Sequence, residues 1–265
     1  MADEERVDID VGLDEIDAAL RRREKRRKDE ETVKVVEEVF DYRTLLALHK
    51  LLSRGVISRL YGAVASGKEA RIHLGVTPSG EYVAVKIFLV ATAEFRRGRL
   101  KYILGDPRFR RVKRDIRSIV KAWCYKEYRN LSRAYSAGVT TPKPHAAYEN
   151  ILVMEFIDAG EPGVPAPTLK EVLPEEPEQL YQQLKEEIRK TYQAGLVHAD
   201  LSEYNILYKS GKGVLIDWGS AVLTSHPHAH EFLLHDIRTV FRYFRKLGVD
   251  TEDPLEFYRQ LAQEK

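Results

Sequence analysis

Cysteine is almost absent from this sequence: Cys124 is the only one. A lone thiol excludes an intramolecular disulfide and fits a reducing compartment. Between Trp123 and Tyr125 it reads as a packed structural thiol. Long apolar runs are missing as well. None approaches the roughly eighteen residues that a membrane-spanning helix needs, and the opening M-A-D-E-E-R lacks the apolar core of a secretory signal. The expectation is a cytoplasmic protein with no membrane partner. Charge of one sign is lacking too, since 43 basic residues nearly balance 41 acidic ones for a net charge of +2. Net charge therefore argues for no partner class, and only its local distribution can. No internal repeat or low-complexity tract is present.

What is present divides into blocks. Residues 1–41 form a charged N-terminal extension containing the run Arg21 to Lys28 and then Asp29, Glu30 and Glu31. Such a run predicts a solvated tail or exposed helix. From Tyr42 to Arg54, Leu45, Leu48, Leu51 and Leu52 recur at helical spacing and Gly55 ends the pattern. Strands are expected over 57–64, 70–76 and 82–90, then a helix over 116–137 and strands over 143–148 and 151–156. Beyond Asp158 a Gly/Pro-rich linker leads into helices over 178–194 and 231–247 and a short last helix from Pro254. The predicted architecture is α+β with two lobes. Residues 42–157 form an N-lobe of five antiparallel strands plus helix, with a basic flexible loop at about 91–115, and 158–265 form a mainly helical C-lobe.

The most informative string is H-A-D-L-S-E-Y-N-I-L at 198–207, followed by V-L-I-D-W-G at 214–219. Asp200 sits on a tight loop, Asn205 follows five residues later, and Asp217 ends the next apolar strand. That spacing suits transfer of the terminal phosphoryl group of ATP, which rests on positioning and on neutralising phosphate charge. Asp200 is the candidate base for the acceptor hydroxyl. Asn205 and Asp217 offer hard oxygen donors to Mg²⁺ or Mn²⁺. His198 is expected to brace the loop, and Asp236 to hold its backbone or form a surface ion pair.

Gly62 to Glu69 nearly matches the Walker pattern, but Glu69 stands where a metal-binding hydroxyl belongs, and a strand rather than a helix follows. A phosphate-covering hairpin is the better reading, with Ser66, Gly67 and Lys68 facing the nucleotide. Lys86, in the apolar strand V-A-V-K-I-F, needs a compensating anion; Glu127 is the favoured helical partner and Glu94 the alternative. Met154, Glu155 and Ile157 would line the adenine site at the end of the last N-lobe strand. His226, His228 and His230 alternate around Pro227 without acid or thiol at ligand spacing, which predicts a polar turn. The segment 96–121 interleaves eleven basic residues with Phe95, Tyr102 and Phe109 at its edge and within it, a pattern suited to RNA backbones and unstacked bases. Ser118 and Thr92 are the hydroxyls available for self-modification, with Ser118 preferred.

Taken together, S-G-K-E-A at 66–70, K-E-Y-R-N-L at 126–131, L-V-H-A-D-L-S-E-Y-N-I-L at 196–207 and H-E-F-L-L-H-D-I at 230–237 resemble the RIO family of atypical protein kinases, first subfamily. The resemblance spans about Tyr42 to Leu247. It implies a small protein-kinase-like fold without the standard activation loop, and Ala221 to His230 is indeed too short for one. It also implies serine autophosphorylation, an ATPase cycle with a transient aspartyl-phosphate at Asp217, and action on the small ribosomal subunit precursor and its rRNA. DNA binding is not expected; the oligomeric state stays open, with a monomer favoured. Trp218 departs from the family's usual residue, and I-D-W-G also occurs in aminoglycoside- and choline-type phosphotransferases, which leaves that class as an alternative. A third reading is an RNA- or ribosome-binding module that uses ATP as a switch.

Overall fold

In the computed structural model the described residues are 10–24, 40–89, 102, 108 and 115–263. They form six helices and nine strands in two compact units. Among them no helix is long and apolar enough to cross a membrane.

The first unit draws on Met1–Ala91, Asp115–Tyr125 and His145–Phe156. Its sheet has the order β1-β2-β3-β5-β4, from β1 (Arg59–Ser66), β2 (Ala70–Val76), β3 (Tyr82–Phe88), β4 (Pro144–Tyr148) and β5 (Ile151–Glu155). The β2–β3 turn closes at Gly80, whose φ of 86° lies where L side chains are strained. β3 lies mid-sheet, and from Val83 to Phe88 every residue is buried, so it reads as a continuous apolar run instead of an alternating one. Helix α2 (Tyr42–Ser53) starts where Asp41 Oδ1 accepts from the backbone N–H of Arg43 and Thr44, at 3.0 and 3.3 Å. Its Leu45, Leu48 and Leu51 then enter the same core as Val83, Val85 and Val153.

The first charged segment departs from its expected character. Leu13–Glu24 is a helix, α1, and Val11, Ile16 and Ala19 are buried in the core of this unit. Val11 exchanges backbone hydrogen bonds with Leu60 at 2.8 and 2.9 Å, adding a bridge to the edge of β1. Asp17 pairs with His49 of α2 at 2.8 Å. The charged residues dominate an averaged composition, while two inward side chains of the helix and Val11 before it suffice to dock the segment. The basic run from Lys25 onward lies outside the described residues.

The second unit draws on Thr92–Arg114, Lys126–Pro144 and Ile157–Lys265. The division thus runs through helix α3 (Ile116–Ser136), whose last turns belong to the second unit, instead of falling only after residue 157. Helices α4 (Pro177–Gln193), α5 (Ala229–Lys246) and α6 (Pro254–Gln263) enclose two short antiparallel ladders. One pairs β6 (Leu196–Val197) with β9 (Val222–Leu223), the other β7 (Ile206–Lys209) with β8 (Lys212–Leu215). Tyr181 of α4 meets Phe241 of α5 edge-on at 5.1 Å. Gly213 lets β8 approach α4 closely: a Cβ there would meet Leu184 Cδ2 at 2.9 Å. The Gln183 amide makes two hydrogen bonds to the Gly213 backbone, at 2.8 and 2.9 Å. The Gly/Pro segment after Asp158 is a folded turn, with Asp158 accepting from Lys209 Nζ at 2.9 Å and Ala159 N–H donating to Val164 O at 2.9 Å.

Because Ile16 is fully buried, Ile16→Ala is expected to lower the unfolding free energy by about 2–5 kcal/mol in urea titration. At a solvated helix position the same change would instead stabilise by a few tenths of a kcal/mol, because alanine is the better helix former.

Candidate active site

In the first unit, β1 and β2 form the expected hairpin. Ser66 pairs with Arg71, Gly67 N–H donates to Ala70 O at 3.0 Å, and Ser66, Gly67 and Lys68 are exposed. Gly67 has no positive φ, and a Cβ there would meet nothing nearer than Ala70 O at 3.5 Å. The fold itself therefore does not demand a glycine at this turn. Lys86 is 8 % exposed on β3, between Ile72 of β2 and Leu152 of β5, with its Nζ 5.2 Å from the centre of the Phe88 ring. Met154 is buried on β5 opposite Ala84, while Glu155 is exposed.

In the second unit, two loops carry the remaining candidates. The loop between β6 and β7 holds His198, Asp200 and Asn205; the loop between β8 and β9 holds Asp217. Main-chain bonds join them. Ile216 N–H donates to Asn205 O at 3.0 Å, and Ile216 O accepts from His198 Nε2 at 2.9 Å. The residue before Asp217 is thus held through both of its main-chain groups. The residue after it, Trp218, is buried, with its indole N–H donating to Thr141 Oγ1 at 2.7 Å and the His198 ring 4.8 Å from its own. Asp217 itself takes φ 62°, and Ala199, beside Asp200, takes φ 66°. For an alanine that conformation costs about 1–2 kcal/mol.

Asp236 of α5 offsets that strain. Its Oδ2 accepts from Ala199 N–H at 2.7 Å and its Oδ1 from Leu201 N–H at 2.9 Å, so one carboxyl group grips the backbone on both sides of Asp200. Of the two roles foreseen for Asp236, the structure shows backbone support, at 2 % exposure. Burial pushes this carboxyl up to about 7, against the pull of the two backbone N–H groups, and neighbouring Asp200 adds to the rise. His198 is held down to about 4, mainly by burial, while the Ile216 carbonyl and Asp217 pull the other way. A neutral ring donating through Nε2 leaves Nδ1 as an acceptor, and that atom is buried with no partner among the described residues. Through that bond His198 braces Ile216, the residue before Asp217.

Asn205 has a defined orientation. Its Nδ2 donates to Asp200 O at 2.7 Å, so its amide oxygen is the end left to face a cation. With the Asp217 carboxylate this makes a set of hard oxygen donors of the kind Mg²⁺ takes.

The structure thus brings Asp200, Asn205, Asp217, His198 and Asp236 together, with Ser66, Gly67, Lys68, Lys86, Met154 and Glu155 in the first unit. Ile157 belongs to the second unit, and its carbonyl accepts from Ala166 N–H at 2.9 Å. Glu127 is buried on the inner face of α3; Glu94 lies outside the described residues. Ser118 donates to Asp115 Oδ2 at 2.6 Å in the first turn of α3. The three histidines go to different partners: His226 is buried, His228 faces Glu231 and His230 meets the Tyr258 hydroxyl at 2.6 Å. Of the basic segment only Tyr102, Arg108 and residues from 115 onward are described.

Sequence reasoning passed over Lys126, Asn130 and Thr141, whose polar groups bind the loop after Asp217 or its tryptophan. The first two were legible in principle. They stand four apart on the buried face of a helix, inside the string K-E-Y-R-N-L.

Comparison with known proteins gives the arrangement a setting. The family model of the RIO domain matches residues 71–257. The chain is 41 % identical over 252 residues to the RIO-type serine/threonine-protein kinase Rio1 of Haloferax volcanii, covering 92 % of this chain and 86 % of that protein. Against the protein of the same name from Methanocaldococcus jannaschii, identity is 44 % over 228 residues, covering 86 % and 77 %. Among solved structures, the Rio2 kinase–ADP/Mg²⁺–phosphoaspartate complex from Chaetomium thermophilum superposes with a TM-score of 0.65 at 20 % identity, covering 94 % of this chain and 84 % of that one. At that identity the likeness speaks for the fold.

His198 and Asp236 act on stability in opposite directions over the same pH range. With its pKa lowered from 6.5 to about 4, His198 costs stability as pH falls through that interval. With its pKa raised from 3.8 to about 7, Asp236 contributes stability that is fully present below 3.8 and lost as pH rises through about 7. Asp236→Asn removes the second effect, so its urea midpoint should fall more steeply than the wild type's between about pH 6.5 and pH 4. Parallel curves would show that Asp236 does not titrate in that window.

Proposed function

The chain belongs to the RIO domain family and is a RIO-type serine/threonine-protein kinase, and on that premise we propose how its own residues carry phosphoryl transfer from ATP. Asp200 accepts the proton of the acceptor hydroxyl. It is exposed, while the backbone on either side of it is held by Asp236, so it can meet substrate without losing its position. Asn205 and Asp217 are the residues that hold Mg²⁺; when bound, that ion neutralises phosphate charge. Lys86 supplies a fixed cation for the α- and β-phosphates, and the exposed 66–68 turn offers the Ser66 hydroxyl, the Lys68 ammonium and an approachable backbone at Gly67. Ile157 N–H and the backbone of Met154 and Glu155 are assigned to the adenine edge. Glu127 is assigned as the acidic partner of the nucleotide-binding lysine.

One observation carries this reading: both main-chain groups of Ile216 are committed, to Asn205 and to His198, which holds the two proposed metal ligands in one register. Kinship with RIO-type serine/threonine-protein kinases speaks against the small-molecule alternative. Trp218 has a packing role here, through its bond to Thr141 and its contact with His198.

Two finer statements complete the proposal. Asp217 is the residue we assign to a transient aspartyl-phosphate, by analogy with the phosphoaspartate present in the Rio2 complex. The biological setting we propose is cytoplasmic maturation of the small ribosomal subunit. Support for it comes from the family resemblance and the basic, aromatic-bearing segment 96–121, whose composition suits rRNA. Autophosphorylation at Ser118 would first require its hydroxyl to leave Asp115.

Asp200→Ala should reduce phosphoryl transfer by about 10²–10⁴-fold with ADP/Mg²⁺ binding retained. Asp217→Asn should abolish both transfer and the Mg²⁺-dependent part of the thermal shift given by ADP. Single-turnover labelling with γ-labelled ATP, chased with hydroxylamine, reads the acyl-phosphate. Full turnover in either variant would remove the assignment, and a hydroxylamine-resistant label would place the phosphate on a hydroxyl instead.

A further inference from the structure

Lys126 is fully buried. An ammonium group taken out of water costs several kcal/mol unless oxygen acceptors replace its hydration. Here they come from one short stretch of chain: Nζ donates to Gly219 O at 2.7 Å and also to Ala221 O. One helical turn on, buried Asn130 Nδ2 donates to Trp218 O at 3.0 Å and to Ala221 O at 2.8 Å. One face of α3 therefore takes the carbonyls of Trp218, Gly219 and Ala221, in the loop that follows Asp217.

Asn130 works in this grip only in one orientation. Its two amide ends are sterically alike, and a flipped side chain would set Oδ1 against two carbonyl oxygens. Arg108, from the basic segment, donates through Nη1 to Asn130 Oδ1 at 3.0 Å and so selects the orientation that donates to the loop. Sequence reasoning read the basic segment as a flexible loop suited to RNA and singled out Ser118, Cys124 and Glu127 in α3, but gave neither element a part in holding the loop after Asp217.

We propose that Lys126 and Asn130, with Arg108 orienting the Asn130 amide, form a positioning clamp that holds Asp217 in its metal-binding geometry. Asp217 sits at φ 62°, a conformation that the loop's own chain does not favour. Its N-terminal side is held through Ile216, and the clamp holds its C-terminal side. None of the three residues touches the reacting atoms. They act through the loop, as the outer partners of metal ligands do elsewhere, where removing one weakens metal affinity by ~10–100-fold. The inference rests on the reading of Asp217 as a metal ligand.

Mn²⁺ binding in the presence of ADP, followed by electron paramagnetic resonance, tests it on the full chain. Lys126→Met and Arg108→Ala should each weaken Mn²⁺ by ~10–100-fold, with ADP affinity in EDTA unchanged and the loss in steady-state kinetics falling on kcat more than on KM for ATP. Arg108→Lys, which keeps a donor but not the planar fork, should recover part of the affinity. Asp217→Asn serves as the reference. If it binds Mn²⁺ like the wild type, the metal assignment has failed and the clamp falls with it. If Asp217→Asn loses Mn²⁺ while folded Lys126→Met and Arg108→Ala bind it as tightly as the wild type or more tightly, the clamp alone is overturned. Should Lys126→Met not fold, Arg108→Ala decides the matter, because the Arg108–Asn130 bond is only part-buried.

Discussion

The catalytic loop depends on a carboxyl group buried beneath it. Ala199 and Asp217 both adopt backbone angles that L-residues disfavour, and both flank or carry the proposed chemistry. Neither would persist on local preference. Asp236 holds the first by accepting from the backbone on both sides of Asp200. The second is pinned through Ile216 and through the carbonyls that α3 captures. Strain at these two residues is thus balanced by hydrogen bonds to buried polar groups, each costly to bury alone.

Such an arrangement makes buried polarity the organising feature of the second unit. His198, Asp236, Lys126, Asn130 and Glu127 are all 2 % exposed or less. An apolar substitute at any of the first four could fill the volume and still leave a carbonyl or N–H unmet. Trp218 belongs to the same set, since its indole N–H needs Thr141 as much as its ring needs His198. Its polar edge is accommodated by a hydroxyl on a distant segment.

Legibility differed by element for physical reasons. Strand β2 was readable to the residue and α3 to within one, because a turn of Gly, Pro or charged residues bounds each. Helix α1 was not, since Ile16 and Ala19 are its inward contacts amid many charges, and its partner, α2, follows a long segment. The two short ladders β6–β9 and β7–β8 were readable only as loop and strand fragments, because pairing partners two to four residues long carry too little pattern. The division of the chain within α3 left no mark, since a helix that serves two units shows one continuous periodicity.

The order and spacing of Asp200, Asn205 and Asp217, the phosphate-facing hairpin and the lysine in an apolar strand were determined by the sequence alone. Phosphoryl chemistry requires those residue types at short, fixed separations along the chain. Tertiary structure decided which residues hold them there. Asp236, Lys126, Asn130 and Thr141 lie 37, 93, 88 and 77 residues from Ala199, Gly219, Trp218 and Trp218, the residues that they bond. A hydrogen bond between groups so far apart has no periodic signature, because its geometry exists only after the chain has folded.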